Sequence, residues 1–223
     1  MKYDLGIVGG LGPMASSYLY EMITKETKVY KDQEHLNIAL LSYASTPDRT
    51  NFILGESDES PYPYLLQNCK ILEKLGAKMI SIPCNTSCFF HEKLQSEINV
   101  PINNLVKNTC EYVSNKNYKK VAILATTGTI NSNLYQNYLD RYGIEYVLPD
   151  QNKVMEIIYD YIKCGKEVSL DLLKDVTDNL NVDAYILGCT ELSILKSKLN
   201  LDDTFIDPLE IECKNILNFF GKG

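Results

Sequence analysis

Two stretches about half a chain apart hold residue types that can do chemistry: MISIPCNTSCFF, Met79 to Phe90, and AYILGCTELSIL, Ala184 to Leu195. Each reads as an apolar run, a turn, a cysteine, a small hydroxyl or amide residue and the opening of a helix. In a parallel α/β sheet such a turn lies at the carboxyl end of a strand, where ligand crevices form. The first amides of the next helix are unpaired and carry partial positive charge. That setting lowers a thiol from its free value near ~8.5 toward neutrality, so Cys84 and Cys189 occupy equivalent, activating positions. Two thiols facing each other form an acid-base pair. One takes a proton from carbon as thiolate, the other returns a proton from the opposite side, and the roles exchange with the handedness of the molecule between them. A lone cysteine is more often a small buried hydrophobe; two in matched turns favour the paired reading.

Other candidates are weaker. Cys88 follows Cys84 by one helical turn, which raises a metal pair or a disulfide. Zinc sites usually present two such pairs or add histidines, and the only histidines are His35 and His91. Cys88 is therefore assigned to packing or to modulating Cys84, and Cys69, Cys110, Cys164 and Cys213 to packing. Arg49 falls in SYASTPDRTNFILGESDESPYP, a polar loop too long to be a simple connection. It is either a solvated charge or a planar fork for a carboxylate. Lys163, near a helix end, reads first as a capping charge, and Glu191 complements the dipole of the helix after Cys189. Gly10-Leu11-Gly12-Pro13-Met14-Ala15 satisfies a loose dinucleotide fingerprint, but the end of the second strand offers no acid for a ribose. A glycine turn whose amides face the cleft is preferred, with a nicotinamide-binding oxidoreductase kept as a rival.

These residues need a scaffold. Strands are expected at Leu5 to Val8, at Leu36 to Ser42 and before Cys84, with helices over Met14 to Val29, Tyr64 to Leu75 and from Cys84 to Glu97. Val100 to Ile102 reads as a short edge strand. A helix near Leu105 to Ser114 crosses into a second lobe, where the pattern restarts. There a strand at Lys120 to Ala125 leads into the hydroxyl-rich turn Thr126 to Thr129 and a helix reaching Arg141. A strand at Glu145 to Leu148, helices near Lys153 to Lys163 and Leu170 to Asn179, and strands at Ala184 to Leu187 and Thr204 to Ile206 follow. A terminal helix from Pro208 returns to the first lobe. The alternation predicts an α/β fold of two similar lobes, each a mainly parallel sheet flanked by helices, related by pseudo-symmetry with the site between them. The expected division is 1–104 plus 208–223 against 105–207.

With 223 residues, 45% hydrophobic and 23% charged, the chain has the composition of a soluble globular protein able to bury a sizeable core. A net charge of −7 with scattered basic residues gives no general pull toward nucleic acid or anionic membrane. No stretch reads as a membrane span or secretory signal. An odd number of cysteines, seven, does not suggest a secreted disulfide framework, so a cytoplasmic protein with reduced thiols is expected.

GIVGGLGP, TPDRTNFILG, IPCNTS, LATTGTI, GCTELSI and FIDP, in this order and spacing, resemble the aspartate racemase branch of the aspartate/glutamate racemase superfamily over nearly the whole chain. Glutamate racemases look similar but typically open with an aspartate-serine turn and follow the second cysteine with threonine-histidine; here Gly9-Gly10 and Thr190-Glu191 stand instead. The resemblance implies a two-lobed α/β fold, no cofactor or metal, a two-base mechanism on an acidic amino acid, aspartate before glutamate, and commonly a homodimer. Carried over by position, Cys84 and Cys189 are the proton donor-acceptor pair. Arg49 and Lys163 hold carboxylates, and Asn85, Thr86, Ser87, Thr127 and Thr190 supply hydrogen bonds. Relatives often have histidine where this chain has Cys88. The superfamily also holds broad-specificity racemases, other isomerases and decarboxylases. A non-catalytic binder of dicarboxylates on the same fold is the other alternative.

Overall fold

The computed structural model describes residues 2–223. In its first lobe, β1 (Leu5–Gly9) lies between β2 (Ile38–Ser42) and β3 (Met79–Ser81), all parallel. In the second, β4 (Lys120–Leu124) lies between β5 (Glu145–Val147) and β6 (Ala184–Leu187), again parallel, with β7 (Phe205–Ile206) beyond β6. Thus β1 answers to β4 and β3 to β6, and the cysteine turns follow β3 and β6, so the repeat in the sequence is a repeat in space. The strand expected at Val100 to Ile102 shrinks to a single bridge between Ile80 and Ile102. Pro101 has no N–H to extend that ladder.

Helices α1 (Pro13–Glu26), α2 (Arg49–Leu54), α3 (Tyr62–Lys74) and α4 (His91–Glu97) belong to the first half of the chain. They are followed by α5 (Leu105–Asn115), α6 (Thr127–Asn131), α7 (Leu134–Arg141), α8 (Gln151–Glu156), α9 (Leu170–Thr177), α10 (Thr190–Leu199) and α11 (Pro208–Phe219). Strand alternation assigns the faces. Leu5 and Ile7 of β1 pack with Leu19 and Ile23 of α1 and with Ile216 and Leu217 of α11, so the last helix covers the first sheet. Val8 packs on the other face with Leu65 and Leu72 of α3 and Leu94 of α4. In the second sheet Val121 and Ile123 meet Val106, Val113 and Leu139, while Ala122 and Leu124 meet Val154, Leu173 and Leu192. Each sheet is covered on both faces, as its near-continuous apolar strands require. No helix of the described residues is long and apolar enough to cross a membrane.

Four local features depart from the sequence reading. The polar segment after β2 is not all loop, since Asp48 caps α2 by accepting from the Asn51 amide and Gly55 ends it at φ 73°. The chain after Cys84 first makes a 3₁₀ turn, Thr86–Phe90, before α4. The helix expected to reach Arg141 breaks at Asn133, whose φ of 53° separates α6 from α7. Finally, α8 widens into a π-helical turn, Ile157–Ile162, with the Lys163 amide donating to the Ile158 carbonyl. Such turns occur often at functional sites, and this one carries Tyr159 and ends at Lys163.

Candidate active site

Cys84 and Cys189 are both buried, and both line one small cleft between the lobes. Cys189 is the N-cap of α10. Of the other residues singled out from the sequence, Arg49, Asn85, Thr86, Lys163 and Thr190 line the same cleft. Ser87 and Thr127 do not. Ser87 is buried with its hydroxyl unpartnered, and the amide and hydroxyl of Thr127 are turned to the Met155 sulfur. The preceding residue, Thr126, takes the cleft position, because an N-cap side chain folds over the start of its helix while the next one points away. Thr126 shares hydrogen bonds with Thr86 at 3.1 Å and Thr129 at 3.1 Å, and Thr190 donates to the Pro83 carbonyl at 3.2 Å. These bonds tie the two lobes at the floor of the cleft.

The two sulfurs have opposite electrostatic partners. Arg49 is buried, and three backbone carbonyls orient its guanidinium: Nη1 donates to Thr46 and Pro47, Nη2 to Leu11. Burial would lower its pKa, but the Cys84 sulfur and the Asp48 carboxylate outweigh that and hold it above its ordinary value. Its Nε has no partner. The fork expected from the sequence is thus largely taken by backbone, leaving a fixed cation beside Cys84 with its Nε–H unpartnered. On the other side, Cys189 Sγ donates to Glu191 Oε2 at 2.9 Å. Burial first, and then the Glu191 carboxylate, push this thiol well above its ordinary range, against an opposing pull from Lys163. The Lys163 ammonium stands 3.8 Å from the centre of the Tyr159 ring. Desolvation would lower it, but Glu191 and Cys189 lead the charges that keep it raised.

Tyr159, Asp48 and Thr126 line the cleft and were not among the expected site residues. Glu191, read only as a helix-dipole charge, lines it too. Asp48 and Thr126 carried a readable signal, each being an acid or hydroxyl directly before a short helix. Tyr159 carried none, since its placement depends on the π turn.

The cleft itself has a volume of about 20 Å³ and opens beside a cavity of about 810 Å³. The two share Asp48, Arg49, Lys163 and Glu191. The inner space is that of about one water.

The glycine turn has its own reasons. At Gly10, φ is 90° and a Cβ would come within 2.5 Å of the Tyr43 carbonyl carbon. At Gly12 it would lie 2.5 Å from Glu191 Oε1. The close approaches are thus made by the chain itself, and one is a carboxylate where a pyrophosphate would have to sit, which removes the physical basis of the dinucleotide reading.

Known proteins are similar to this chain in fold and sequence. The described fold is similar to the aspartate racemase of Picrophilus torridus, with a TM-score of 0.88 and 28% identity over 99% of this chain and 95% of that one. Glutamate racemase from Francisella tularensis, solved in complex with D-glutamate, shares the fold at a TM-score of 0.72 and 21% identity, covering 99% and 81%. In sequence, the broad specificity amino-acid racemase RacX of Bacillus subtilis is 24% identical over 211 residues, 91% of this chain and 92% of that protein. The pattern of the Asp/Glu/Hydantoin racemase family matches residues 8–216, and the chain belongs to that family.

Proposed function

We propose that this protein racemises an acidic amino acid, aspartate in preference to glutamate, by a two-base mechanism that uses Cys84 and Cys189 and no cofactor. The observation that carries the reading is the pair of sulfurs in equivalent turns, lining one cleft beside charges of opposite sign. Cys84, beside the Arg49 cation, acts as thiolate and takes the α-proton. Cys189, its S–H directed at Glu191, delivers a proton to the opposite face of the α-carbon. The C–H bond broken on one side is replaced by one formed on the other, and the sulfurs end with their protonation exchanged, ready for the other enantiomer. As the proton leaves, negative charge spreads into the α-carboxylate. The Lys163 ammonium, the unpartnered Arg49 Nε and the unpartnered Asn85 Nδ2 are the donors available for it. The likeness to the aspartate racemase of Picrophilus torridus favours aspartate. From the family resemblance we read the protein as a homodimer, which light scattering of purified protein checks, and from its composition and cysteine usage as cytoplasmic.

The test is inversion of L- and D-aspartate followed by polarimetry without added cofactor, in wild type and in Cys84→Ala and Cys189→Ala. Each variant should lose inversion while retaining exchange of the α-proton with deuterated water from the side whose sulfur remains. Full racemisation by both variants would rule the mechanism out.

A further inference from the structure

Tyr135 is the largest wholly buried side chain among the described residues. It stands at the start of α7, just past the left-handed Asn133 that breaks the helix expected there. Its hydroxyl donates to Asn85 Oδ1 at 2.6 Å, across from the second lobe to the residue that follows Cys84. Its ring lies against the residue that precedes Cys189. A Cβ at Gly188 would come within 3.0 Å of Tyr135 Cε2 and 2.9 Å of the Ala125 Cβ. One side chain therefore touches both cysteine turns.

The consequence falls on Asn85. An amide can be turned over at little cost unless its two ends see different partners. Here the phenol offers a proton to Oδ1, and Nδ2, buried and facing no acceptor, is left on a residue that lines the cleft. A buried N–H without a partner is costly; the phenol could equally accept from a turned-over amide, so it anchors the group, and a carboxylate in the cleft selects the orientation that offers the N–H. Turned the other way, Asn85 would present an oxygen to the cleft and repel a carboxylate.

We propose that Tyr135 is a positioning residue of the site. Its hydroxyl holds the Asn85 amide in place to serve the cleft as a carboxylate donor, while its ring sets the seat of Gly188 beside Cys189. The inference rests on the reading of the cleft as a binder of acidic amino acids.

The test uses succinate, which carries two carboxylates and no α-amino group, in calorimetric titration beside aspartate kinetics. Tyr135→Phe keeps the ring and removes the hydroxyl. It should raise the succinate Kd and the KM for both enantiomers by about tenfold, with a smaller change in kcat, as loss of a donor used in ground and transition states alike requires. In an Asn85→Ala background the same change should cost less than about twofold, since a residue acting through Asn85 has nothing left to position. Unchanged binding in Tyr135→Phe, or an equal loss in both backgrounds, overturns the proposal. Should Tyr135→Phe fail to fold, Asn85→Asp decides. It still accepts the phenol's hydrogen bond but has no N–H to give, so it must weaken succinate by about tenfold or more, and wild-type binding would overturn the idea. If wild type binds succinate but inverts nothing, the racemase reading fails and this one stands. If wild type binds no succinate, both fall.

Discussion

Replacing Glu191 with glutamine keeps the length and shape of the side chain but removes the negative charge facing Cys189. In the native site the sulfur donates to Oε2 at 2.9 Å. Ionising it places two like charges side by side in a buried setting, and the carboxylate accordingly adds to the upward push that burial gives the thiol. At an effective dielectric near 20, two unit charges about 4 Å apart interact by roughly 4 kcal/mol. Lys163 on the same side offsets part of this. If only a quarter survives, about 1 kcal/mol, the ionised fraction of Cys189 still rises about fivefold when the charge is removed. The assay is alkylation by iodoacetamide near neutral pH with peptide mass analysis, which follows each cysteine separately. Cys189 should react about fivefold faster in Glu191→Gln, with Cys84 within about twofold of wild type. A Cys189 that alkylates at the wild-type rate or more slowly would refute the assignment of Glu191 as the group that keeps it protonated.

Arg49→Lys retains charge but cannot reach the carbonyls of Thr46, Pro47 and Leu11 together. It should lower kcat/KM by about a hundredfold because a fixed planar cation is replaced by a mobile one, and kinetics within about twofold of wild type would contradict this. Gly188→Ala forces a methyl into the packed space between Ala125 and Tyr135. It should cost about 1–3 kcal/mol in urea unfolding, and no loss would show the seat to be loose. Glu212, buried in α11, accepts from Ser81 and Asn103, and burial pushes its carboxyl up to about 7 from an ordinary 4.5. Its folded pKa exceeds its unfolded one, so it contributes stability below about pH 4.5 that is lost as pH rises through about 7, up to roughly 3 kcal/mol. Glu212→Gln should flatten this part of the slope, leaving the smaller effect of the same sign from Asp207, pushed by burial to about 6 from 3.8. An unchanged slope across that window would mean Glu212 is ionised throughout.

Much of this was legible before any coordinates. The apolar runs at Leu5, Met79, Lys120 and Ala184 are strands because both faces of each sheet are covered, and the two cysteine turns stand where the runs at Met79 and Ala184 end. What escaped depends on one-residue geometry. Thr126 and Thr127 are chemically alike, and only the cap position sends one into the cleft and the other to Met155. Asn133 breaks a segment whose composition otherwise continues a helix. IIYDYIK shows ordinary helical periodicity, and nothing in its composition marks the wider turn that carries Tyr159 and ends at Lys163. Arg49 was found by its type and its loop. Its restraint by three carbonyls follows from the approach of Leu11, a contact between residues 38 positions apart.

The return of α11 to the first sheet fixes an order of events during synthesis. Leu5, Ile7 and Met79 are made early but share their cluster with Cys213, Ile216 and Leu217, which are made only after the whole second sheet. Until they arrive, only α1 covers that face of the first sheet, while most of the second sheet's packing partners have already been made. Removing α11 would therefore strip a cover from the founding sheet rather than trim a tail.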